Sequence, residues 1–169
     1  MFTIENLDEI RNKKGFICDM DGVIYHGNRL LPGVKEFVEW LYKEDKKFLF
    51  LTNSSDRSPR DLQQKLQRMG LDIDETHFYT SAQATARFLN SQSPGCSAYV
   101  MGEAGLMNAL YEVGITMNDS TPDYVVIGEP KSYNYEMIIK AVKLIQNGAK
   151  LVATNSDVTG STENGISPA

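Results

Sequence analysis

The sequence predicts an α/β protein, a parallel sheet with connecting helices, on three observations. Short apolar runs alternate with segments whose apolar residues recur at helical spacing, the pattern of βαβ units with right-handed crossovers. The first two runs end in polar clusters, Asp19-Met20-Asp21-Gly22 and Thr52-Asn53-Ser54-Ser55, and open α/β sheets place ligands at the carboxyl ends of strands. Gly70, Gly114 and Gly148 each stand just past a predicted helix, where a left-handed stop is common.

Taken in order, residues 1–14 read as an amphipathic lead-in. Residues 15–20 are a strand, short, apolar and without alternation, and so expected to be buried on both faces. Gly22 permits the turn that follows, and residues 23–31 read as a loop. Pro32 and Gly33 open a helix whose face is Val34, Phe37, Val38, Leu41 and Tyr42. Phe48-Leu49-Phe50-Leu51 is a second buried strand. Ser58, Pro59 and Asp61 form a helix start, with Leu62, Leu66 and Met69 on its buried face. Smaller units follow: a helix over 82–90 capped by Ser81, a strand at 97–101, a helix at 103–113, and a strand at 124–127. A helix at 133–147 is capped by Ser132, and a strand at 151–154 ends in Asn155-Ser156-Asp157. Residues 158–169, rich in Gly, Ser and Thr, read as loop.

The chain has 169 residues, with 17 Lys plus Arg and 22 Asp plus Glu, a net charge of −5. That acidic balance argues against nucleic acid as the main partner. Cys18 and Cys96 lack metal-ligand spacing and read as reduced, structural thiols, which fits a cytoplasmic protein. No apolar run is long enough to span a bilayer, so no membrane partner is expected. The Met1–Asn6 stretch lacks the basic region and apolar core of a signal peptide.

Two carboxylates, Asp19 and Asp21, close together at a strand end are costly unless a positive charge joins them, and an oxygen-seeking divalent cation such as Mg²⁺ suits the pair. The bland alternative is a solvated turn with an Asx hydrogen bond. A calcium-loop reading fails: with Asp19 as position one, the fifth and twelfth positions are Val23 and Leu30, neither of them a ligand. Strand-end capping is the bland reading of Thr52 and Asn53, and an ordinary loop that of Asn155 and Asp157. His26 is a loop residue near the site entrance; His77 reads as structural.

Asp19-Met20-Asp21-Gly22-Val23 followed by Leu51-Thr52-Asn53-Ser54-Ser55 resembles the first two motifs of the haloacid dehalogenase-like phosphatases. Tyr25, Gly27, and Ala153-Thr154-Asn155-Ser156-Asp157 with Glu163-Asn164-Gly165 resemble the NagD-like branch, which inserts a large α/β cap after the second motif. The resemblance covers essentially the whole chain. It implies a Rossmann-like core, its first half at residues 1–78, with the cap at 79–169. It also implies Mg²⁺-dependent hydrolysis of a small phosphate monoester through an aspartyl-phosphate. By the same resemblance Asp19 is the nucleophile and, with the backbone carbonyl of Asp21, a metal ligand. The side chain of Asp21 is the general acid and base, Thr52 and Asn53 hold the phosphate, and Asn155 and Asp157 face the site from the cap. The substrate is implied to be a small phosphorylated metabolite, and a homodimer through the cap is compatible with the branch.

The sequence departs from the family in one respect. After the cap the family returns to a second half-core that brings a lysine and a Gly-Asp…Asp loop with further metal ligands. No second Gly-Asp pair with a trailing Asp occurs here, and Lys131, Lys140, Lys143 and Lys150 fall in the cap region. The chain reads as the N-terminal part of a longer enzyme, and weak activity is expected of it alone. Two rival readings are a receiver-like module that keeps its phospho-Asp and a non-catalytic assembly piece that needs a partner.

Overall fold

The computed structural model describes residues 4–162 and 165–168. Helix α1 (Ile4–Arg11) leads into strand β1 (Gly15–Asp19), which is followed by the two-residue strands β2 (Tyr25–His26) and β3 (Arg29–Leu30). Helix α2 (Val34–Lys43), strand β4 (Lys47–Thr52), helix α3 (Pro59–Arg68), a 3₁₀ turn (Glu75–His77) and strand β5 (Phe78–Thr80) complete the first unit. The second unit comprises α4 (Ser81–Gln92), β6 (Ser97–Met101), α5 (Ala104–Glu112), β7 (Thr116–Met117), β8 (Tyr124–Ile127), α6 (Tyr135–Gln146) and β9 (Lys150–Ala153). Strands β10 (Thr159–Thr162) and β11 (Gly165–Pro168) follow as an antiparallel pair.

Two parallel sheets result. The first has the order β1-β4-β5, with Asp19 opposite Leu51 and Thr52 opposite Thr80. This register brings the polar ends of β1 and β4 to one edge. The second has the order β7-β6-β8-β9, every pair parallel. The expected α/β class is therefore the observed one.

The first sheet is held by one apolar cluster of Phe48, Phe50 and Phe78 with Val38 and Leu41 of α2 and Leu62 and Leu66 of α3. Each large side chain buried this way stabilises the fold by roughly 1.5–3 kcal/mol. Phe16 of β1 meets Trp40 edge-on at 5.4 Å and Phe37 at 6.1 Å, which locks β1 to α2. In the second sheet alternate residues serve opposite faces, as the strand period requires. Ala98 and Val126 pack with α4 and α5, whereas Tyr99, Met101 and Val125 pack with Ala141 and Leu144 of α6.

Several expectations are corrected. The β1 run is covered on one face only: Ile17 is 72% exposed, because β4 is its sole strand neighbour among the described residues and α2 covers only the Phe16 side. Residues 23–31 are not all loop, since Tyr25 pairs with Leu30 and His26 with Arg29, and Ile24 and Tyr25 are buried. Thr80, not Ser81, caps α4, accepting a hydrogen bond from the Gln83 N–H, with Gln83 returning the bond to the Thr80 N–H. Asn134, not Ser132, caps α6 through the Met137 N–H at 2.8 Å. Residues 159–162 and 165–168 pair as antiparallel strands where loop was expected. The predicted capping box of α3 is present, Ser58 and Asp61 bonding each other's backbone N–H, and Gly70, Gly114 and Gly148 all adopt positive φ.

Candidate active site at the strand ends

Asp19 closes β1 and its Oδ1 accepts a hydrogen bond from the Met20 N–H at 2.8 Å. Two residues later Asp21 sits in a tight turn: Gly22, at φ 75°, donates its N–H to the Tyr25 carbonyl at 2.8 Å. A side chain at that φ is strained, which accounts for glycine. Met20 between the two acids is fully buried and anchors the turn. Asp21 Oδ2 is 3.4 Å from the Tyr25 hydroxyl, and Lys65 of α3 places its ammonium 3.6 Å above the Tyr25 ring.

Solvent reaches Asp21, yet the protein packed around it removes enough water to push its carboxyl above the ordinary aspartate value. The Lys65 ammonium is the largest opposing influence, and the charge of Asp19 adds to the rise. The Tyr25 hydroxyl and Arg57 oppose it more weakly. Burial also pushes the Tyr25 phenol up, and the nearby Asp21 charge reinforces the effect. Burial raises the Cys18 thiol as well, so the cysteine beside Asp19 stays protonated and serves packing.

On the neighbouring strand Thr52 is buried, and its Oγ1 accepts from the Ser54 N–H at 3.1 Å. Asn53 donates from Nδ2 to Asp157 Oδ2 at 3.1 Å, spanning the first and second units. Asn155 makes an Asx turn, its Oδ1 accepting from the Asp157 N–H at 2.9 Å, while its Nδ2 donates to Glu129 Oε1 at 3.3 Å. Asp19, Asp21, Thr52 and Asn53 thus lie along one sheet edge, with Asp157 bonded to Asn53. Asn155 is linked to that edge indirectly, through Asp157 and through Glu129. His77 is structural, stacked on Phe48 at 3.9 Å with Nδ1 3.0 Å from the Phe48 carbonyl. His26 is exposed in β2. Glu163 and Asn164 lie outside the described residues.

Three residues escaped the sequence reading. Ser55 is fully buried between the units: its Oγ accepts from the Glu129 N–H at 3.3 Å and from Thr154 Oγ1 at 3.1 Å. Glu129 follows the end of β8, and Ser54 Oγ lies 2.8 Å from its Oε2. The strand-end rule applied to Thr52 also fits Glu129. Gly105 of α5 donates its N–H to the Asp56 carbonyl at 3.2 Å, and a Cβ there would stand 2.6 Å from the Arg57 backbone. Only glycine permits so close an approach of α5 to the loop after β4.

The donors suited to a divalent cation are the Asp19 carboxylate and the Asp21 backbone carbonyl, hard oxygens of the kind Mg²⁺ prefers. Among the described residues no group of three or more His, Cys, Asp or Glu is placed to hold a metal ion. The pair fits Mg²⁺ in donor type. Among the described residues no helix is long and apolar enough to cross a membrane.

Comparison with known proteins bears on this edge directly. Residues 16–116 match the family model described as haloacid dehalogenase-like hydrolase. The chain is 44% identical over 154 residues to dihydroxyacetone phosphatase of Corynebacterium glutamicum, covering 91% of this chain and 56% of that protein. It is 42% identical over 147 residues to ribonucleotide monophosphatase NagD of Escherichia coli, covering 87% of this chain and 58% of NagD. Among solved structures, 4-nitrophenylphosphatase from Thermotoga maritima superposes with a TM-score of 0.89 at 33% identity, covering 94% of this chain and 61% of that one. The chain thus spans a little over half the length of these curated relatives. With the family model matched across the β1 and β4 strand ends, the chain belongs to the haloacid dehalogenase-like hydrolases and sits among their NagD-like members.

Proposed function

We propose that residues 1–169 carry the nucleophile, the general acid and part of the phosphate pocket of a Mg²⁺-dependent phosphatase acting on a small phosphate monoester. The observation that carries this reading is the alignment of Asp19 and Asp21 with Thr52 at one sheet edge, in a chain whose relatives bear phosphatase names. In this reading the β1-β4-β5 unit belongs to the core and residues from about 79 onward form the cap, facing it through Asn155 and Asp157.

An Asp19 carboxylate oxygen attacks phosphorus, and the bond from phosphorus to the ester oxygen breaks. Asp21 gives its proton to that leaving oxygen, and its raised pKa helps it hold the proton until then. Asp21 then takes a proton from the water that attacks the aspartyl-phosphate, which frees inorganic phosphate and restores Asp19. The Thr52 hydroxyl and the Asn53 amide donate to the phosphoryl oxygens. The Asn53 amide nitrogen carries two hydrogens, so one can donate to the phosphoryl group while the other holds Asp157.

Like charges meet in the first step. At about 4 Å and an effective dielectric near 20, each pair of unit charges repels by roughly 4 kcal/mol. Asp19 and the Asp21 carbonyl would hold Mg²⁺, and the bound ion would supply positive charge to offset this repulsion. A magnesium complex of a structural relative, glycerol phosphate phosphatase from Mycobacterium tuberculosis (TM-score 0.84, 28% identity, covering 92% of this chain and 48% of that one), supports that choice of metal.

The test is hydrolysis of p-nitrophenyl phosphate with and without Mg²⁺, by the full-length gene product and by residues 1–169 alone. The full-length protein should require Mg²⁺, lose activity in Asp19→Asn, and lose about 10²–10⁴-fold in Asp21→Asn. Residues 1–169 alone should turn over slowly or not at all. Activity that survives Asp19→Asn contradicts the reading.

A further inference from the structure

Where the two units meet, cationic side chains gather around a cleft of about 530 Å³. Arg57 comes from the loop after β4, Lys65 and Arg68 from α3, and Lys131 from the segment after β8. Three acids share the wall, so the balance is 4 − 3, one net positive charge, in a chain whose total is −5. The acids are engaged by other donors. Asp56 accepts from the Ser54 hydroxyl at 2.8 Å, Asp61 from the Ser58 hydroxyl at 2.6 Å, and Glu103 from the Lys131 backbone N–H at 2.8 Å. Arg57 reaches Asp56 only at 3.9 Å. Arg68 and Lys131 stand in no ion pair among the described residues.

The backbone adds to the same field. Helix α5 begins at the cleft with Ala104, and no side chain caps it; its N-cap residue, Glu103, turns its carboxylate to the Lys131 N–H instead. The start of a nine-residue helix carries partial positive charge, which favours an anion. Gly105 lets that end close onto the Arg57 backbone. The cleft also borders the candidate active site: Lys65 lies 3.6 Å over the Tyr25 ring, and the Tyr25 hydroxyl lies 3.4 Å from Asp21 Oδ2. Cations from both units and an uncapped helix end thus converge on one space.

We infer that this cleft is a second anion site, separate from the Thr52–Asn53 position, and that it takes a phosphate group. A guanidinium and an ammonium that make no ion pair are ordinary phosphate partners, the first as a planar fork and the second as a point charge. The group arrives either free, as inorganic phosphate, or as the second phosphate of a bisphosphorylated substrate. Both present the same chemistry to Arg68 and Lys131. Binding here breaks no bond, so the inference goes beyond the phosphatase reading and is tested apart from it.

The experiment is calorimetric titration of the full-length protein with inorganic phosphate in Mg²⁺-free buffer. Arg68→Gln combined with Lys131→Gln removes two exposed cations and should weaken phosphate binding by about tenfold or more. Circular dichroism checks that the double variant keeps its fold. Asn53→Ala, at the phosphoryl position, should leave this binding in place. Undetectable phosphate binding by wild type overturns the inference, as does binding that the double variant leaves unchanged. Binding lost in Asn53→Ala and kept in the double variant also overturns it, because phosphate then occupies the Thr52–Asn53 position alone. A second titration separates the two sources. It adds fructose 1,6-bisphosphate or fructose 6-phosphate to Asp19→Asn protein, where turnover is expected to be blocked. Tighter binding of the bisphosphate by about tenfold, lost when the two cations are removed, supports the inference with a substrate's second phosphate as the occupant. Equal binding of the two sugars, with inorganic phosphate still sensitive to the double variant, supports it with free phosphate as the occupant. Absence of p-nitrophenyl phosphate hydrolysis counts against the phosphatase reading alone.

Discussion

Strands β1 and β8 are written in much the same way, Gly15-Phe16-Ile17-Cys18-Asp19 and Tyr124-Val125-Val126-Ile127, yet they live in different surroundings. Val125 and Val126 are fully buried, because β6 and β9 flank β8 and helices cover both faces. In β1, Ile17 is 72% exposed. An apolar run records what a strand is suited to be buried against, and the neighbours decide how far that happens. The second unit completes its own sandwich of helix, sheet and helix; the first covers one face of its sheet and presents the edge that carries Asp19.

Substitutions can break or sharpen this contrast. The largest effect is expected inside the second unit. Leu106 is fully buried and its Cδ2 wedges against Gly102 and Gly128, 2.8 Å from where a Cβ on either would sit. Leu106→Ala should cost about 3–4 kcal/mol in urea unfolding; a cost under about 1 kcal/mol would show that the unit is loosely packed. Next comes the seam between the units. Gly105→Ala pushes a methyl group into the Arg57 backbone, and should cost about 1–3 kcal/mol while loosening the 55–57 segment in hydrogen exchange. No change in exchange there would mean that the contact is dispensable.

A smaller effect belongs to the cap of α3. Ser58→Ala removes the capping box at a cost of about 1 kcal/mol at neutral pH. Hydrogen bonding by Ser58 holds the Asp61 carboxyl below its ordinary value of 3.8. The folded state thus favours ionised Asp61, a contribution present above that ordinary value and lost as pH falls through the lower, folded one. The difference between wild type and Ser58→Ala should therefore shrink as pH falls below 3.8; a gap that widens on acidification contradicts the assignment. The smallest effect is at the open strand. Ile17→Ala in the 169-residue chain should change stability by no more than about 0.5 kcal/mol, and a larger loss means that β1 is covered in solution.

Much of the fold was legible in the residues. Apolar runs located β1, β4, β6, β8 and β9, and the Ser58 box and the three stop glycines bounded the helices. What stayed hidden was short or long-range. Phe78-Tyr79-Thr80 is only three residues long, and its pairing with β4 depends on a neighbour far away in the chain. Thr116-Met117 is shorter still. The Tyr25–Leu30 hairpin carries a two-residue Gly27-Asn28 turn signal, with Gly27 at φ 59°, but its strands are two residues each and too short to show a strand period. At the candidate site, Asp19, Asp21, Thr52 and Asn53 were visible because each stands at the end of an apolar run. Glu129 stands in the same kind of position but belongs to no motif that marked it. Its contacts with Ser54 and Ser55 span 75 and 74 residues, and no local pattern records such a pairing.

The account turns on Asp19 as the phosphoryl acceptor. The most direct measurement is acid quench of the full-length protein during turnover of p-nitrophenyl phosphate with Mg²⁺, followed by peptide mass spectrometry. The account predicts a phosphoryl group on the peptide that contains Asp19 and none in Asp19→Asn protein. A phosphoryl group on another residue, or steady turnover by Asp19→Asn, would contradict it.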